Sequence, residues 1–338
     1  MISRRQSCVV LGGGSFLGIN LCRRLAAAGH RVRAFGRRCL FPEALDQVEW
    51  YQGDFCDPAA LAAVVKTYEI VFHLVHSTTP HSANLDMAQD LQQNVMSSLA
   101  LFDLSRALGV RRIVFMSSGG TIYGASEQIP TPETAPSEPI TAYGISKLAI
   151  EKYLSVYERL YGLQYRILRV ANAFGPFQVP VKNQGVISAL ISGAINNEKI
   201  EIWGDGSVVR DYIFVDDVID AVEAAMGDQS DARIFNIGSG SGISLLEVIG
   251  AVENLLNTKL KIDWKQSRLV DVPKAILAID RARDILKWTP NTPFEKGLQQ
   301  TFKWWKSVGG GAGTGSKIWH APTESSRSLS VSDNSSRK

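Results

Sequence analysis

The sequence predicts an α/β fold in which a doubly wound parallel sheet is joined by a smaller mixed α/β lobe. Short apolar runs alternate with segments of helical periodicity through the first half of the chain, as strands and crossover helices do. A glycine-rich turn separates the first apolar run from the first helical segment. The chain has 338 residues, 45% of them apolar, which is enough for two structural units.

The composition argues against a nucleic-acid-binding, membrane-spanning or disulfide-rich protein. The formal net charge is +3, and most of this excess lies in the segment from Ser307 onward, which has four basic and two acidic residues. We find no basic stripe, and no apolar run near the roughly 18 residues that a membrane helix needs. The four cysteines lack a Cys-x-x-Cys spacing and clustered histidines. We therefore expect reduced thiols in a cytoplasmic protein, and no metal site.

The first strand, turn and helix predict a Rossmann-type dinucleotide site. Residues 8–11 form an apolar run that ends in Gly-Gly-Gly-Ser-Phe-Leu-Gly, and helical periodicity follows up to Gly29. Such a turn lets the backbone approach a pyrophosphate, which the N–H groups at the helix N-terminus then hold. A tight turn without a ligand is the alternative. The residues expected to contact the cofactor here are Gly12, Gly14, Ser15, Phe16, Leu17 and Gly18.

The end of the second predicted strand, residues 31–35, favours NADP over NAD. At this place an acidic side chain would accept hydrogen bonds from the ribose 2′-hydroxyl of NAD, but the sequence reads Gly36-Arg37-Arg38. A glycine leaves room for a 2′-phosphate, and Arg37 and Arg38 can pair with it. The alternative is that both arginines belong to a solvated basic turn.

The alternation continues and places polar residues at strand ends. We predict strands over residues 48–53, 70–75 and 112–118, and a helix over residues 94–108. Ligands bind at the carboxyl ends of parallel strands, so Asp54 and Phe55 are expected to contact an adenine. The segment His73-Leu74-Val75-His76 is expected to border the cofactor. Alternatively, Asp54 caps the next helix and His73 is a packed strand residue.

Tyr143 and Lys147 are the main candidates for chemistry. They lie four residues apart in a segment of helical pattern, so their side chains project from one helix face. A cation beside a phenol favours the phenolate, which makes Tyr143 a candidate general acid or base. The alternative is a chance pair on a helix surface.

Seven sequence elements occur together in a fixed order between roughly residues 7 and 306. They are the glycine-rich turn, Gly53-Asp54, the helix from Asn94, the Ser117-Ser118-Gly119-Gly120-Thr121-Ile122-Tyr123-Gly124 turn, Tyr143-x-x-x-Lys147, Leu168-Arg169-x-x-Asn172, and the segment from Arg210 to Asp217. In this order they resemble the extended short-chain dehydrogenase/reductase family. Within that family the similarity is greatest to the nucleotide-sugar epimerases and dehydratases.

The resemblance implies a role for each matching residue. Tyr143 would be the catalytic acid/base, and Lys147 would activate it and bind the nicotinamide ribose. Further cofactor contacts would come from Leu74, Asn94, Ser117 and Val170.

The substrate implied by the resemblance is a nucleotide-diphosphate sugar. Its diphosphate and nucleoside need cations and N–H donors, which arginine supplies. For Arg210 and Arg268, the alternative role is an ion pair, with Asp211 and Asp271 respectively. The residues implied to hold this substrate are Asn172, Gln184, Val186, Arg210, Arg268 and Asp271.

Two positions depart from the family pattern. Ser15 stands where the family has the middle glycine of its fingerprint, so we expect a slightly rearranged turn. Gly119 stands where the family has a serine or threonine that hydrogen-bonds the reacting sugar oxygen. We expect Ser118 to substitute for it, with Thr121 as the second candidate. Alternatively, both hydroxyls merely satisfy backbone groups of the turn.

The resemblance leaves two main reactions open. A dehydratase of this family has Asp-Glu after the threonine, whereas this chain has Gly120 and Thr121 there, which argues against dehydration. The remaining reactions are 4-epimerisation with a retained cofactor, which we favour, and one-way reduction of a 4-keto sugar by NADPH. A non-catalytic dinucleotide sensor is a third and weaker hypothesis.

We expect a dinucleotide-binding domain over residues 1–173, with returning segments near 210–240. A discontinuous substrate lobe is expected over residues 174–306, and a disordered tail over residues 307–338, where glycine and serine replace apolar periodicity. By the resemblance, helices near residues 97–108 and 147–161 would pair across a homodimer. Their alternative is ordinary packing on the sheet.

Overall fold

Strands and helices alternate along residues 5–180, 185–267 and 272–309, the part of the chain that the computed structural model describes. The strands are β1 (Ser7–Leu11), β2 (Arg31–Gly36), β3 (Glu49–Gln52), β4 (Ile70–His73), β5 (Arg112–Ser118), β6 (Gln164–Val170), β7 (Asn172–Phe174), β8 (Lys199–Trp203), β9 (Val209–Arg210), β10 (Tyr212–Phe214), β11 (Ile234–Ile237), β12 (Ile243–Ser244), β13 (Lys261–Lys265) and β14 (Lys274–Ala275).

The α-helices cover both faces of the central sheet and most of the second lobe. They are α1 (Phe16–Ala27), α2 (Pro58–Val65), α3 (Pro80–Leu85), α4 (Met87–Asp90), α5 (Ser97–Ala107), α6 (Ala142–Tyr161), α7 (Val186–Asn196), α8 (Val215–Gly227), α9 (Leu245–Leu256), α10 (Asp280–Leu286) and α11 (Phe294–Gly309). A 3₁₀ turn spans Pro42–Leu45, and a π-helical turn, Leu91–Met96, joins α4 to α5.

The central sheet has seven parallel strands in the order β11-β6-β5-β4-β1-β2-β3. From β1 the chain adds β2 and β3 on one side, and then returns to add β4, β5 and β6 on the other. The strand order therefore reverses at the β1–β4 neighbours, where a crevice opens at the carboxyl ends of the strands. This arrangement confirms the predicted α/β, doubly wound fold.

Apolar residues on both faces of the strands explain why helices cover both faces. In β1, Cys8 to Leu11 are completely buried. On one face, α1 and α8 pack through residues such as Leu21 and Val222. On the other face, α2, α5 and α6 pack through residues such as Leu101 and Ile150.

The second lobe is a mixed α/β unit, as the sequence predicts. It contains β8 paired in parallel with β13, and a small sheet in which β9 lies between antiparallel β12 and parallel β14. The helices α7, α9 and α11 pack together beside these strands. A ring cluster of Phe41, Phe177 and Trp304 connects α11 to the 3₁₀ turn of the central domain, with ring centroids 5.4 to 5.5 Å apart.

The last described helix overlaps the segment for which the sequence predicts a tail. α11 ends at Gly309, so it includes the first three residues after Lys306. Residues 310–338 lie outside the described part of the chain. Cys8, Cys22, Cys39 and Cys56 are free thiols, and Cys56 is exposed.

Candidate active site

The glycine turn after β1 is tight because three chain segments meet there. Gly12 has φ +88°, and its N–H donates to the Phe35 carbonyl at 2.8 Å. A Cβ on Gly14 would overlap the Arg38 carbonyl, and a Cβ on Gly18 would overlap the Gly12 carbonyl. The turn is therefore a cradle of bare backbone, which a side chain at either position would fill.

Ser15 acts as the N-cap of α1. Its backbone is extended (φ −86°, ψ 170°), a conformation that does not need glycine, and its Oγ accepts a hydrogen bond from the Gly18 N–H at 3.2 Å. The first N–H groups of a helix have no partner within the helix. Because Ser15 uses the third of them, the N–H groups of Phe16 and Leu17 remain for an anion.

The residues after β2 lie beside this cradle. Arg37 and Arg38 are exposed, and the backbone of Arg38 packs against Gly14. The Trp50 indole covers the same place, because a Cβ on Gly36 would lie 3.3 Å from it. The segment beside the cradle therefore contributes two exposed arginines, and Trp50 contributes an indole.

The predicted adenine and cofactor contacts after β3 and β4 differ in their surroundings. Asp54 is exposed and accepts from the Cys56 N–H at 2.9 Å. The alternative that Asp54 caps the next helix is wrong, since Asp57 caps α2. Phe55 is buried with its ring 5.0 Å from that of His73.

Of the two residues at the end of β4, one is structural and one faces the cradle. His73 is completely buried, and its Nε2 lies 2.9 Å from Ser98 Oγ, which confirms the packed-strand alternative for His73. Leu74 is half-buried, and its carbonyl carbon would lie 3.4 Å from a Cβ on Gly12. Leu74 thus borders the glycine turn at the point where the strand order reverses.

Tyr143 and Lys147 lie on the first turns of α6, which Thr141 caps by accepting from the Gly144 N–H. Lys147 is buried, and its Nζ donates to the Met116 carbonyl at the end of β5 at 2.7 Å. The same nitrogen lies 5.8 Å from the centroid of the Tyr143 ring. The predicted pair is therefore formed, at the carboxyl edge of the sheet.

The electrostatics of this pair differ from the sequence-based expectation. Burial raises the pKa of Tyr143 to about 12, and the Asp90 carboxylate adds to this shift. Burial lowers the pKa of Lys147 to about 7, although Glu151 and Asp90 oppose this. For the chain by itself, desolvation disfavours both the Lys147 ammonium and the Tyr143 phenolate, an effect that the spacing of the two residues does not predict.

A buried polar network lies behind Tyr143. Asp90 is 1% exposed and accepts hydrogen bonds from Thr78, Asn94 and Ser146. The His76 ring packs edge-on against the Tyr143 ring, with centroids 4.3 Å apart, and its Nε2 is 3.6 Å from Asp90 Oδ1.

Asn94, implied by the resemblance to contact the cofactor, belongs to this network. It lies in the π-helical turn, accepts from the Ser77 N–H at 2.7 Å and donates to Thr78 and Asp90. π-Helical turns are frequent at functional sites. Sequence reasoning singled out Asn94 and His76 but missed Asp90 and Ser146. The one sequence signal for Asp90 is its position four residues before Asn94, which places both on one helix face.

The turn after β5 contains the two candidate substitutes for the missing hydroxyl. A Cβ on Gly119 would overlap the side chain of Leu277, so a serine at this position would require Leu277 to shift. Thr121 Oγ1 is buried without a hydrogen-bond partner, and the Thr121 carbonyl would lie 2.7 Å from a Cβ on Gly144. Ser118 is half-buried at the end of β5. An unsatisfied buried hydroxyl beside the first turn of α6 marks Thr121 as the stronger candidate.

Two other residues at the ends of β5 and β6 have structural partners. Ser117 Oγ donates to the buried Glu151 carboxylate at 2.6 Å, and Arg169 pairs with the same carboxylate, also at 2.6 Å. Val170 is buried, and its carbonyl accepts from the Gly119 N–H at 2.9 Å. The Ser117 hydroxyl is thus committed to holding α6 on the sheet.

The sequence profile of the NAD dependent epimerase/dehydratase family matches residues 8–238. The chain belongs to this family. A UDP-glucose 4-epimerase of Mycolicibacterium smegmatis is 32% identical over 308 residues, covering 88% of this chain and 98% of that protein. A dTDP-4-dehydro-6-deoxyglucose reductase of Escherichia coli is 28% identical, covering 90% of this chain and 98% of that protein.

Solved structures of epimerases share the fold of this chain. The UDP-glucose 4-epimerase of Thermotoga maritima, solved with UDP-glucose, superposes with a TM-score of 0.84 at 32% identity over 89% of this chain and 98% of that chain. The UDP-glucose 4-epimerase of Thermus thermophilus, solved with NAD, gives 0.83 at 28% identity over 89% and 99%. Family membership makes this chain an enzyme, and the non-catalytic sensor hypothesis is set aside.

The site fits the dinucleotide that the epimerase/dehydratase family uses. The bare backbone at Gly12, Gly14 and Gly18, and the open N–H groups of Phe16 and Leu17, are what a pyrophosphate requires. The Tyr143 phenol and the Lys147 ammonium lie at the end of β5, two strands from β1 in the sheet order.

Three of the residues implied to hold the substrate lie in the described part of the chain. Asn172 is in β7, and its Oδ1 would lie 3.6 Å from a Cβ on Gly120, beside the Thr121 turn. Arg210 is in β9, next to the buried Asp211. Asp211 accepts hydrogen bonds from the Ser239 hydroxyl and the Leu277 N–H. Val186 begins α7. The predicted contacts Gln184, Arg268 and Asp271 lie outside the described residues.

Within residues 5–180, 185–267 and 272–309, no three His, Cys, Asp or Glu side chains are grouped so that they could hold a metal ion. In the same part of the chain, no helix is long and apolar enough to span a membrane.

Proposed function

We propose that this enzyme is an NAD(P)-dependent nucleotide-sugar 4-epimerase that acts on UDP-hexoses of the UDP-glucose/UDP-galactose class. The observation that carries the proposal is the Tyr143–Lys147 pair beside the unpartnered Thr121 hydroxyl, at the sheet edge that also bears the glycine cradle. The named relatives in M. smegmatis and T. maritima support the same reaction. Gly120-Thr121, in place of Asp-Glu, argues against dehydration.

Each side chain has a role in this reaction. Tyr143 takes the proton of the sugar 4-hydroxyl and later returns it, while Thr121 orients the reacting oxygen. Lys147 holds the nicotinamide ribose and stabilises the phenolate. A bound nicotinamide would supply the hydride acceptor, and the positive charge of its oxidised form would favour the phenolate. Rotation of the keto sugar between the two transfers then gives the 4-epimer.

The substrate is held across two parts of the chain. Residues 1–173, with the returning segment near 210–240, bind the dinucleotide, and residues 174–306 bind the sugar nucleotide. We assign the diphosphate to Asn172 and Arg210, the nucleoside to Arg268 and Asp271, and the lobe entrance to Gln184 and Val186, by resemblance to the family. Arginine is suited to bidentate pairing with phosphate oxygens.

A second candidate function is NADPH-dependent reduction of a 4-keto-sugar nucleotide. Gly36 followed by exposed Arg37 and Arg38 favours it, because these residues suit a 2′-phosphate better than a 2′-hydroxyl. The E. coli reductase among the relatives carries the matching activity in its name.

Incubation of the purified protein with UDP-glucose or UDP-N-acetylglucosamine, without added cofactor, separates the two functions. A 4-epimer product supports the epimerase. Consumption of a 4-keto-sugar nucleotide only when NADPH is present supports the reductase. If neither reaction is observed, both proposed functions are overturned. Affinities for NAD and NADP before and after Arg37→Ala/Arg38→Ala test the cofactor: we expect loss of NADP binding alone.

We further propose that the enzyme is a cytoplasmic homodimer. Exposed apolar side chains of α6, namely Tyr153, Val156 and Leu160, lie on one helix face that a second copy would cover. Free thiols suit a reducing compartment.

A further inference from the structure

Asp90 is a buried carboxylate on which side chains from several elements converge. It is the last residue of α4 and is 1% exposed. Thr78 and Asn94 donate to its Oδ1, and Ser146 donates to its Oδ2. Burial alone would raise its pKa, but the nearby His76 ring and the hydrogen bonds from Ser146 and Thr78 lower the pKa to about 2. Asp90 is therefore an anion at any pH at which the enzyme works.

The hydrogen-bond partners of Asp90 lie next to the reacting pair. Ser146 is in α6, between Tyr143 and Lys147. The His76 ring contacts Tyr143 on one side, and its Nε2 is 3.6 Å from Asp90 on the other. Both ring nitrogens of His76 are buried without a hydrogen bond, and burial, with Lys147, lowers the pKa of His76 to about 4. His76 is thus neutral at working pH and does not compensate the charge of Asp90.

The charge of Asp90 can be compared with the other groups that face Lys147. Within the described part of the chain these are Glu151 on the same helix, His73 and His76 from β4 and the segment after it, and Tyr143. Glu151 is paired with Arg169 at 2.6 Å, so its charge is largely balanced. The histidines are neutral because burial lowers the pKa of both. Of the two carboxylates near Lys147, Glu151 thus has a cationic partner, whereas the partners of Asp90 among the described residues are neutral.

We propose that Asp90 is a positioning residue of the reaction, whose buried negative charge favours the protonated forms of Tyr143 and Lys147. The proposal rests on the proposed function, since it assumes that these two side chains do the chemistry. Asp90 keeps Lys147 cationic against its burial, so that Lys147 can bind the ribose and stabilise the phenolate. It also makes Tyr143 a proton donor when the cofactor is reduced, which suits the return of a proton to C4 oxygen.

The test follows the titration of Lys147 directly. In protein with ¹³C-labelled lysine side chains, the NMR signal of Lys147 is assigned by its loss in Lys147→Arg. The midpoint of its titration is then measured between pH 5 and 10. We expect Asp90→Asn to lower the midpoint by about 0.5 unit or more, because an anion that favours the ammonium is removed. The control is Asp217→Asn, which should leave the Lys147 midpoint unchanged. Asp217 is a similarly buried carboxylate in α8 and accepts hydrogen bonds from the Asn291 and Thr292 N–H groups. An unchanged midpoint in folded Asp90→Asn overturns the proposal.

If Asp90→Asn does not fold, the exchange Asp90→Asn/Asn94→Asp keeps one carboxylate and one amide in the pair and moves the charge one helical turn away. We expect a smaller fall of the midpoint, and an unchanged midpoint again overturns the proposal. In the active enzyme, both limbs of the kcat/KM profile should move to lower pH in Asp90→Asn, whereas a merely structural role would lower its height alone. If the wild-type protein neither epimerises nor reduces a sugar nucleotide, the proposed function is contradicted. The Lys147 titration still tests the effect of Asp90 in that case.

Discussion

At the scale of single residues, the charge state of Tyr143 depends on groups outside the helix that carries it. Burial and Asp90 hold its pKa near 12 for the chain by itself. A phenol of this kind is a poor base at neutral pH, so the proposed role of Tyr143 as a base requires that binding of the oxidised cofactor favour its ionisation. The sequence shows the Tyr–Lys spacing, but not the burial that raises the pKa of Tyr143.

Replacement of Tyr143 tests its role in proton transfer. We expect Tyr143→Phe to lower kcat by about 10²- to 10⁴-fold, because the general acid/base is lost while the ring still packs on His76. Initial rates of 4-epimer formation measure this effect. The control is Tyr161→Phe, an exposed tyrosine at the end of the same helix, which should retain wild-type rates. Equal rates for the two variants would remove Tyr143 from the mechanism.

Single substitutions also test whether Thr121 or Ser118 orients the reacting sugar oxygen. We expect Thr121→Val to lower kcat by about 10- to 100-fold, since a hydrogen bond to an oxygen with developing charge is worth about 1.5–3 kcal/mol. Ser118→Ala should change kcat by less than about threefold. Both are read from the same steady-state assay. The opposite ranking would return the role to Ser118.

At the scale of elements, the N-cap of α1 links helix stability to the cofactor cradle. We expect Ser15→Ala to lower the free energy of unfolding by about 1 kcal/mol, and Ser15→Gly by only a few tenths. Urea denaturation without cofactor measures both. Each variant also frees the Gly18 N–H that Ser15 now binds. If Ser15→Ala is as stable as the wild type, the cap contributes nothing measurable.

Element types were predictable from the sequence where periodicity decides them, and less so where packing does. The strands of the central sheet lie where the apolar runs predict them, because a strand buried on both faces must be apolar. The predicted strand over 70–75 ends at His73, since the chain turns there against Gly12. The predicted helix from Asn94 begins instead within a π-helical turn. The hydrogen bonds of Asp90 and Asn94 accompany that turn, and apart from the spacing of four residues between the two, no local sequence pattern predicts them.

The site was predictable in its sequence-adjacent parts only. The glycine turn and the Tyr143–Lys147 spacing are local signals, and the structure places both at the edge where the strand order reverses. The contact of His76 with Tyr143 and the capping role of Ser15 depend on three-dimensional packing. Likewise, the preference for Thr121 over Ser118 depends on burial, because the Thr121 hydroxyl is the one buried without a hydrogen-bond partner.

At the scale of the whole molecule, association of two copies would bury the exposed face of α6. We expect Val156→Glu/Leu160→Glu to give a monomer, because two charges would be desolvated within an apolar interface. Light scattering coupled to size-exclusion chromatography measures the mass. Ser155→Glu adds a charge on another face of the same helix and should leave the mass at that of a dimer. A wild-type mass of one chain would contradict the dimer outright.

The contact between Gly119 and Leu277 ties two distant chain positions into one epistatic unit. Gly119→Ser alone should destabilise the protein by about 1–3 kcal/mol through overpacking, and Leu277→Ala alone by about 2–5 kcal/mol through a cavity. Together they should cost less than the sum, by about 0.5–3 kcal/mol, because the serine enters the vacated space. A double-mutant cycle of unfolding free energies measures this coupling, and additivity would refute it. A relative with a hydroxyl-bearing side chain at position 119 is therefore expected to have a smaller side chain at position 277.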